Sequence, residues 1–154
     1  GYTYGAGAGF DLRRAAGPFA ARAAVNTEVT VPAIREMLRE LERMRDETVT
    51  DAELRATRDF LIGVFPLRFE TPGPVVGSIA GLIVHDLPDD ELARYRDGIE
   101  AVSAEDVRMA ARAHLHLERA GIVLVGDAER IAADVEAADF GPVQVVRDEV
   151  ASPA

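Results

Sequence analysis

Histidine is the most versatile catalytic side chain in the sequence, and it stands at three positions, His85, His114 and His116. No His-Glu-x-x-His or His-x-x-Glu-His occurs, so no helical spacing puts two imidazoles and a carboxylate on one metal ion. His114 and His116 are two apart, about 200° around a helix, and face opposite ways. His114 is predicted as a core histidine and His116 as a solvated one near a helix C-terminus. His85-Asp86 reads as a helix-ending turn. Cysteine is absent, which removes disulfides, thiol nucleophiles and thiolate zinc sites. No Gly-x-Ser-x-Gly elbow is present, and Ser78, Ser103 and Ser152 fall on a helix, a cap and the tail. Gly5-Ala6-Gly7-Ala8-Gly9 is followed by a strand pattern instead of a helix, so it is not a dinucleotide fingerprint. It reads as a strand that another backbone or a large side chain approaches closely. The acid groups Asp89-Asp90-Glu91 and Glu105-Asp106 sit in first helical turns, where the helix dipole accounts for them.

The elements that position these residues follow from periodicity and punctuation. Tyr2 to Phe10 and Phe19 to Val29 form two strands around a Gly17-Pro18 turn, with Ala21, Ala23 and Val25 on one face. Thr30 is the expected N-cap of a helix whose stripe is Val31, Ile34, Leu38, Leu41 and Met44. Thr50-Asp51-Ala52-Glu53 is a capping box. The helix it opens has an apolar second half, Phe60, Leu61, Ile62, Val64 and Phe65, expected to be buried on every side, and Pro66 is expected to kink or end it. Thr71-Pro72 opens a third helix with the stripe Val75, Val76, Ile79, Leu82 and Ile83. A fourth follows Pro88 and buries Leu92, Tyr95, Ile99 and Val102. Ser103 opens a fifth, with Val102 and Val107 at staple spacing. Ile122–Val125 reads as a buried strand, Ala128–Ala138 as a small helix with Ile131, Val135 and Ala138 inward, and Val143–Val146 as a last strand. The fold class is therefore α+β, an antiparallel or mixed sheet covered by a block of helices.

The 154 residues suit one domain with a core of its own. No apolar run approaches the roughly 18 residues of a bilayer span. The 27 acids against 17 bases, all arginine, give a net charge of −10. That field repels phosphate backbones and anionic lipid, so neither nucleic acid nor membrane insertion is expected. No signal peptide opens the chain. The start, without Met, reads as that of a trimmed chain or of the C-terminal part of a longer polypeptide. Residue chemistry alone describes a soluble α+β domain without a catalytic centre.

Several segments, in order, resemble the insulinase / pitrilysin / mitochondrial-processing-peptidase superfamily of zinc metallopeptidases. They are Gly1-Tyr2-Thr3-Tyr4-Gly5, Gly17-Pro18-Phe19, Ile34-Arg35-Glu36-Met37-Leu38 after Thr30, and Thr50-Asp51-Ala52-Glu53-Leu54. Arg68-Phe69-Glu70-Thr71, Gly81-Leu82 to Leu87-Pro88-Asp89-Asp90, Val102-Ser103-Ala104-Glu105-Asp106-Val107 and Ile122-Val123-Leu124-Val125-Gly126-Asp127 follow. No single segment is diagnostic; the order and spacing carry the resemblance over nearly the whole chain. Such proteins close two homologous halves around a peptide. One half carries the zinc and the other supplies substrate contacts.

The resemblance implies that residues 1–150 are part of a non-catalytic, metal-free half, with 151–154 a tail. It implies zinc in a homologous catalytic half, on the same polypeptide or a separate subunit, and a peptide substrate. The family's second half presents Gly-x-x-Tyr, here Gly1 to Tyr4, with an arginine upstream that would precede residue 1. That tyrosine holds the scissile carbonyl, so Tyr4 is the candidate substrate-contacting residue, with Tyr2 beside it on the strand face. A phenol is a neutral donor below pH about 10 and can bond a developing oxyanion. The alternative for Tyr4 is a sheet aromatic without a role. For the whole chain the alternatives are a non-enzymatic scaffold of the same fold, as in respiratory-complex core subunits, or an unrelated α+β interaction domain.

Overall fold

A computed structural model describes residues 3–147. Among the described residues two antiparallel strands, β1 (Thr3–Phe10) and β2 (Phe19–Val25), precede six helices. These are α1 (Thr30–Asp46), α2 (Asp51–Val64), α3 (Pro72–Val84), α4 (Glu91–Ala101), α5 (Ala104–His114) and α6 (Ala128–Ala137). The chain is an α+β protein whose sheet is a two-stranded hairpin.

Side-chain caps set several helix starts. At α2 the Thr50 hydroxyl accepts from the Glu53 amide at 3.2 Å, while the Glu53 carboxylate accepts from the Thr50 amide at 2.9 Å. Ser103 and Asp106 repeat this at α5, at 3.1 and 2.8 Å. Each box satisfies two amides that a helix start leaves without partners. Pro66 does end α2, and a 3₁₀ turn, Pro66–Phe69, takes the chain away. The end of α3 is closed by Leu87 and Asp86 amides donating to the Leu82 and Ile83 carbonyls at 2.9 and 3.3 Å. That closure needs a left-handed residue, and Asp86 supplies it with φ 53°. Thr30 is not the cap of α1. A 3₁₀ turn, Thr27–Val29, runs straight into the helix, so Thr30 lies one residue inside and donates its hydroxyl back to the Thr27 carbonyl at 2.9 Å.

The core gathers where α1, α5 and α6 meet. Ala33, Ile34, Ala111, Leu115 and Val135 are its buried residues. Burying one side chain of the size of Ile34 contributes roughly 1.5–3 kcal/mol. The inward face of β2 (Phe19, Ala21, Ala23, Val25) follows the expected alternation. The sets on α4 and α6 also turn inward, each half-buried or better. A second group forms around Phe65, whose ring stacks on Tyr95 at 4.3 Å and 13° and meets Phe69 edge-on at 5.1 Å.

Other expectations give way. Ile122–Val125 and Val143–Val146 make no ladder among the described residues, and Val123 and Val125 are 86% and 99% exposed. A β-branched run becomes a strand only against an edge, and none reaches these segments. Phe60 is 65% exposed, so the apolar end of α2 is not enclosed. On α3, Val75 and Leu82 turn inward, while Val76, Ile79 and Ile83 face out. Met44 is exposed as well, while Leu38 and Leu41 of the same stripe are half-buried.

Candidate functional site

The strand that carries Tyr4 is irregular where Tyr4 lies. Thr3 pairs with Val25 and Ala6 with Ala23, so Tyr4 and Gly5 on β1 stand opposite the single residue Ala24. This is a bulge, a device that bends a strand and re-aims side chains. Thr3 anchors it by donating its hydroxyl to the Ala24 carbonyl at 2.6 Å and accepting from the Gly5 amide at 3.0 Å. Tyr2 and the Tyr4 side chain lie outside the described residues, so the shared face expected for them does too. The space beside Gly5, Gly7 and Gly9 is open. The close approach expected over this strand is thus not made by any described residue. At the far end Phe10 packs on Phe19, with centroids 5.0 Å apart, and meets the edge of the His114 ring at 6.4 Å.

His114 is an exposed residue, not a core one. The buried face of α5 runs through Ala104, Val107, Arg108, Ala111 and Leu115, and His114 stands to one side of it. His116 is exposed beyond the helix end, 3.4 Å from the Glu118 carboxylate. His85 is half-buried at the C-cap of α3. Among the described residues no three His, Cys, Asp or Glu side chains converge to hold a metal ion. Asp106 is committed to its capping box, Glu105 to Arg108 at 2.5 Å and Asp90 to Arg94 at 3.2 Å.

One cleft of about 290 Å³ opens between the Thr27–Val29 turn, α1 and α6. Glu28, Arg35, Ile131 and Asp134 line it. Arg130 donates to the Glu28 carboxylate at 2.7 Å, and Arg35 lies over the Phe140 ring at 5.4 Å. The Glu28 carboxyl is held below the usual carboxylate range, first by its own backbone amide and then by Arg130. A carboxylate stabilised in this way stays ionised near neutral pH and is a poor general acid. The cleft can seat a small polar group but holds no nucleophile–base pair. Sequence reasoning did not find it, because Glu28 and Arg130 lie 102 residues apart and neither belongs to a motif.

Neither a protein-family model nor a curated protein matches this chain.

Proposed function

We propose that this chain is the substrate-contacting, metal-free half of a two-part zinc peptidase. One observation carries the reading beyond the resemblance. The described residues leave extended, apolar segments without cover: Val123, Val125 and Val146 are at least 80% exposed, and β1 carries an open glycine face. Such surface suits a chain that completes its core against further polypeptide. Zinc and the reacting water are assigned to the homologous catalytic half, and no step here passes through a metal held by this chain. Within this reading Tyr4 donates its phenol to the scissile carbonyl oxygen, and the bulge sets where that residue stands on the strand. The non-enzymatic scaffold reading uses the same uncovered surface and differs only in chemistry.

The test joins this chain to a homologous half that carries His-x-x-Glu-His and follows cleavage of a fluorescent peptide. The pair is expected to turn over, with activity abolished by a chelator and restored by zinc. Tyr4→Phe is expected to lower kcat by about 10²–10³ with little change in KM, as for loss of one oxyanion donor. A stable complex without turnover would move the assignment to the scaffold reading. Turnover insensitive to Tyr4→Phe would leave that residue structural.

A further inference from the structure

The helices divide into two packing groups. The hairpin, α1, α5 and α6 form a body, with α1 at its centre. The helices α2, α3 and α4 and the Pro66–Phe69 turn pack on one another, and no substantial contact among the described residues joins them to the body. The chain enters this second unit once, through residues 47–50, and leaves it once, through Val102 and Ser103. Both crossings are extended: Glu47 has ψ 153°, Thr50 ψ 154°, Val102 ψ 124° and Ser103 ψ 165°.

Each crossing is fixed on both sides. On the body side, Arg112 donates to the Arg45 carbonyl at 2.9 Å and so ties the end of α1 to α5. On the other side the Thr50–Glu53 box starts α2 without a frayed turn. Rotation at the first crossing is thus confined to the few residues from Glu47 to Thr50. At the second, α4 ends at Ala101 and the Ser103–Asp106 box begins at once, which confines rotation to Val102 and Ser103. Hinges are made of such element-terminal residues, and units of one chain move relative to each other unless a large apolar interface prevents it.

One side chain of the unit reaches its exit crossing. Arg58, near the middle of α2, donates to the carbonyl of Val102 in the second crossing. It holds the exit of the unit against the helix that begins at its entrance. Its Nε is buried without a partner among the described residues, and no carboxylate pairs with it there. A buried donor left unmade makes this latch a marginal contact, since release to water recovers the missing bond.

We propose that residues 51–101 are a hinged unit and that the Arg58–Val102 bond is its latch. This inference stands on the packing and does not depend on the peptidase reading.

The cysteine-free chain allows direct measurement with pairs of introduced, spin-labelled cysteines at exposed positions. Glu42→Cys with Ala93→Cys spans the two groups. Glu42→Cys with Ala113→Cys lies within the body, and Thr57→Cys with Ala93→Cys within the unit. In an Arg58→Met background, which keeps the aliphatic bulk and removes the donors, the spanning distance is expected to broaden and lengthen while both internal distances hold. An unchanged spanning distance would overturn the latch. Should Arg58→Met fail to fold, amide exchange of the unsubstituted chain decides. Residues 51–101 exchanging as a block, faster than α1 and α5, supports the hinged unit; one common protection level across all of them overturns it.

Discussion

A single added methyl group separates the two kinds of glycine in the hairpin. A Cβ at Gly17 would lie 1.7 Å from the Asp11 carbonyl oxygen, inside the turn closed by the Asp11 amide donating to Pro18 at 2.9 Å. Backbone cannot yield as a flexible side chain can, so Gly17→Ala should open the turn and cost at least about 1 kcal/mol. Gly9→Ala enters open space and should change stability by well under ~1 kcal/mol. Urea melts of the two variants side by side provide the comparison, and equal costs would mean that the turn is not closed in this way. Asp86 gives a second contrast. Its φ of 53° is tolerable for Asp and Asn but not for a β-branched residue. Asp86→Val should destabilise by about 1–2 kcal/mol, while Asp86→Asn should be near neutral. His114 marks the limit of reading residues one at a time: predicted as a core histidine, it stands outside the buried face of α5. Being exposed, His114→Asp should shift stability by no more than about 0.5 kcal/mol.

A capping box depends on atoms three residues apart, and this is why the sequence revealed the starts of α2 and α5. Thr50 with Glu53 and Ser103 with Asp106 are visible as letters and present as bonds. Thr50→Ala or Ser103→Ala should each cost about 1 kcal/mol, read from thermal or urea unfolding. Acid should weaken the same boxes. The Thr50 backbone amide and then its hydroxyl hold the Glu53 carboxyl below its ordinary 4.5. The Ser103 hydroxyl and then its amide hold Asp106 below 3.8. A carboxyl depressed on folding stabilises the native state above its unfolded value, and that contribution fades as pH falls through the lower, folded value. Stability should therefore hold down to about pH 5 and decline below it. Thr50→Ala and Ser103→Ala should flatten that decline, and an unaltered acid limb would separate the boxes from it. Strands and burial were less legible, because each depends on a partner distant in sequence. Ile122–Val125 has the composition of a strand yet no edge to join, and the outward side of α3 has the composition of a core yet no cover. The bulge at Tyr4 was equally hidden, since it exists only in the register against Ala24.

At the scale of the molecule the surface is larger than the mass requires. A compact monomer of 16.6 kDa exposes about 7,600 Å². This chain exposes 11966 Å². The excess is well beyond the roughly 800 Å² per partner of an ordinary stable interface. Much of it is apolar, and Val123, Val125, Val76 and Ile83 are each at least 65% exposed. At about 25 cal/mol per Å² of apolar surface, covering even a quarter of the excess is worth far more than the ~1 kcal/mol of a single cap. The net charge of −10 opposes contact between copies, but salt screens it beyond about 8–10 Å and does not weaken apolar contact at close range. The chain by itself should thus bind a hydrophobic dye and sediment as species heavier than 16.6 kDa, more so as salt rises. Val123→Glu combined with Val125→Glu should reduce both signals. Their side chains are already in water, so the double substitution should move the urea midpoint little. If sedimentation velocity returned a monomer at every salt concentration and the dye stayed dark, the uncovered segments would have to fold back onto this chain's own surface. The case for a completing partner would then rest on the family resemblance alone.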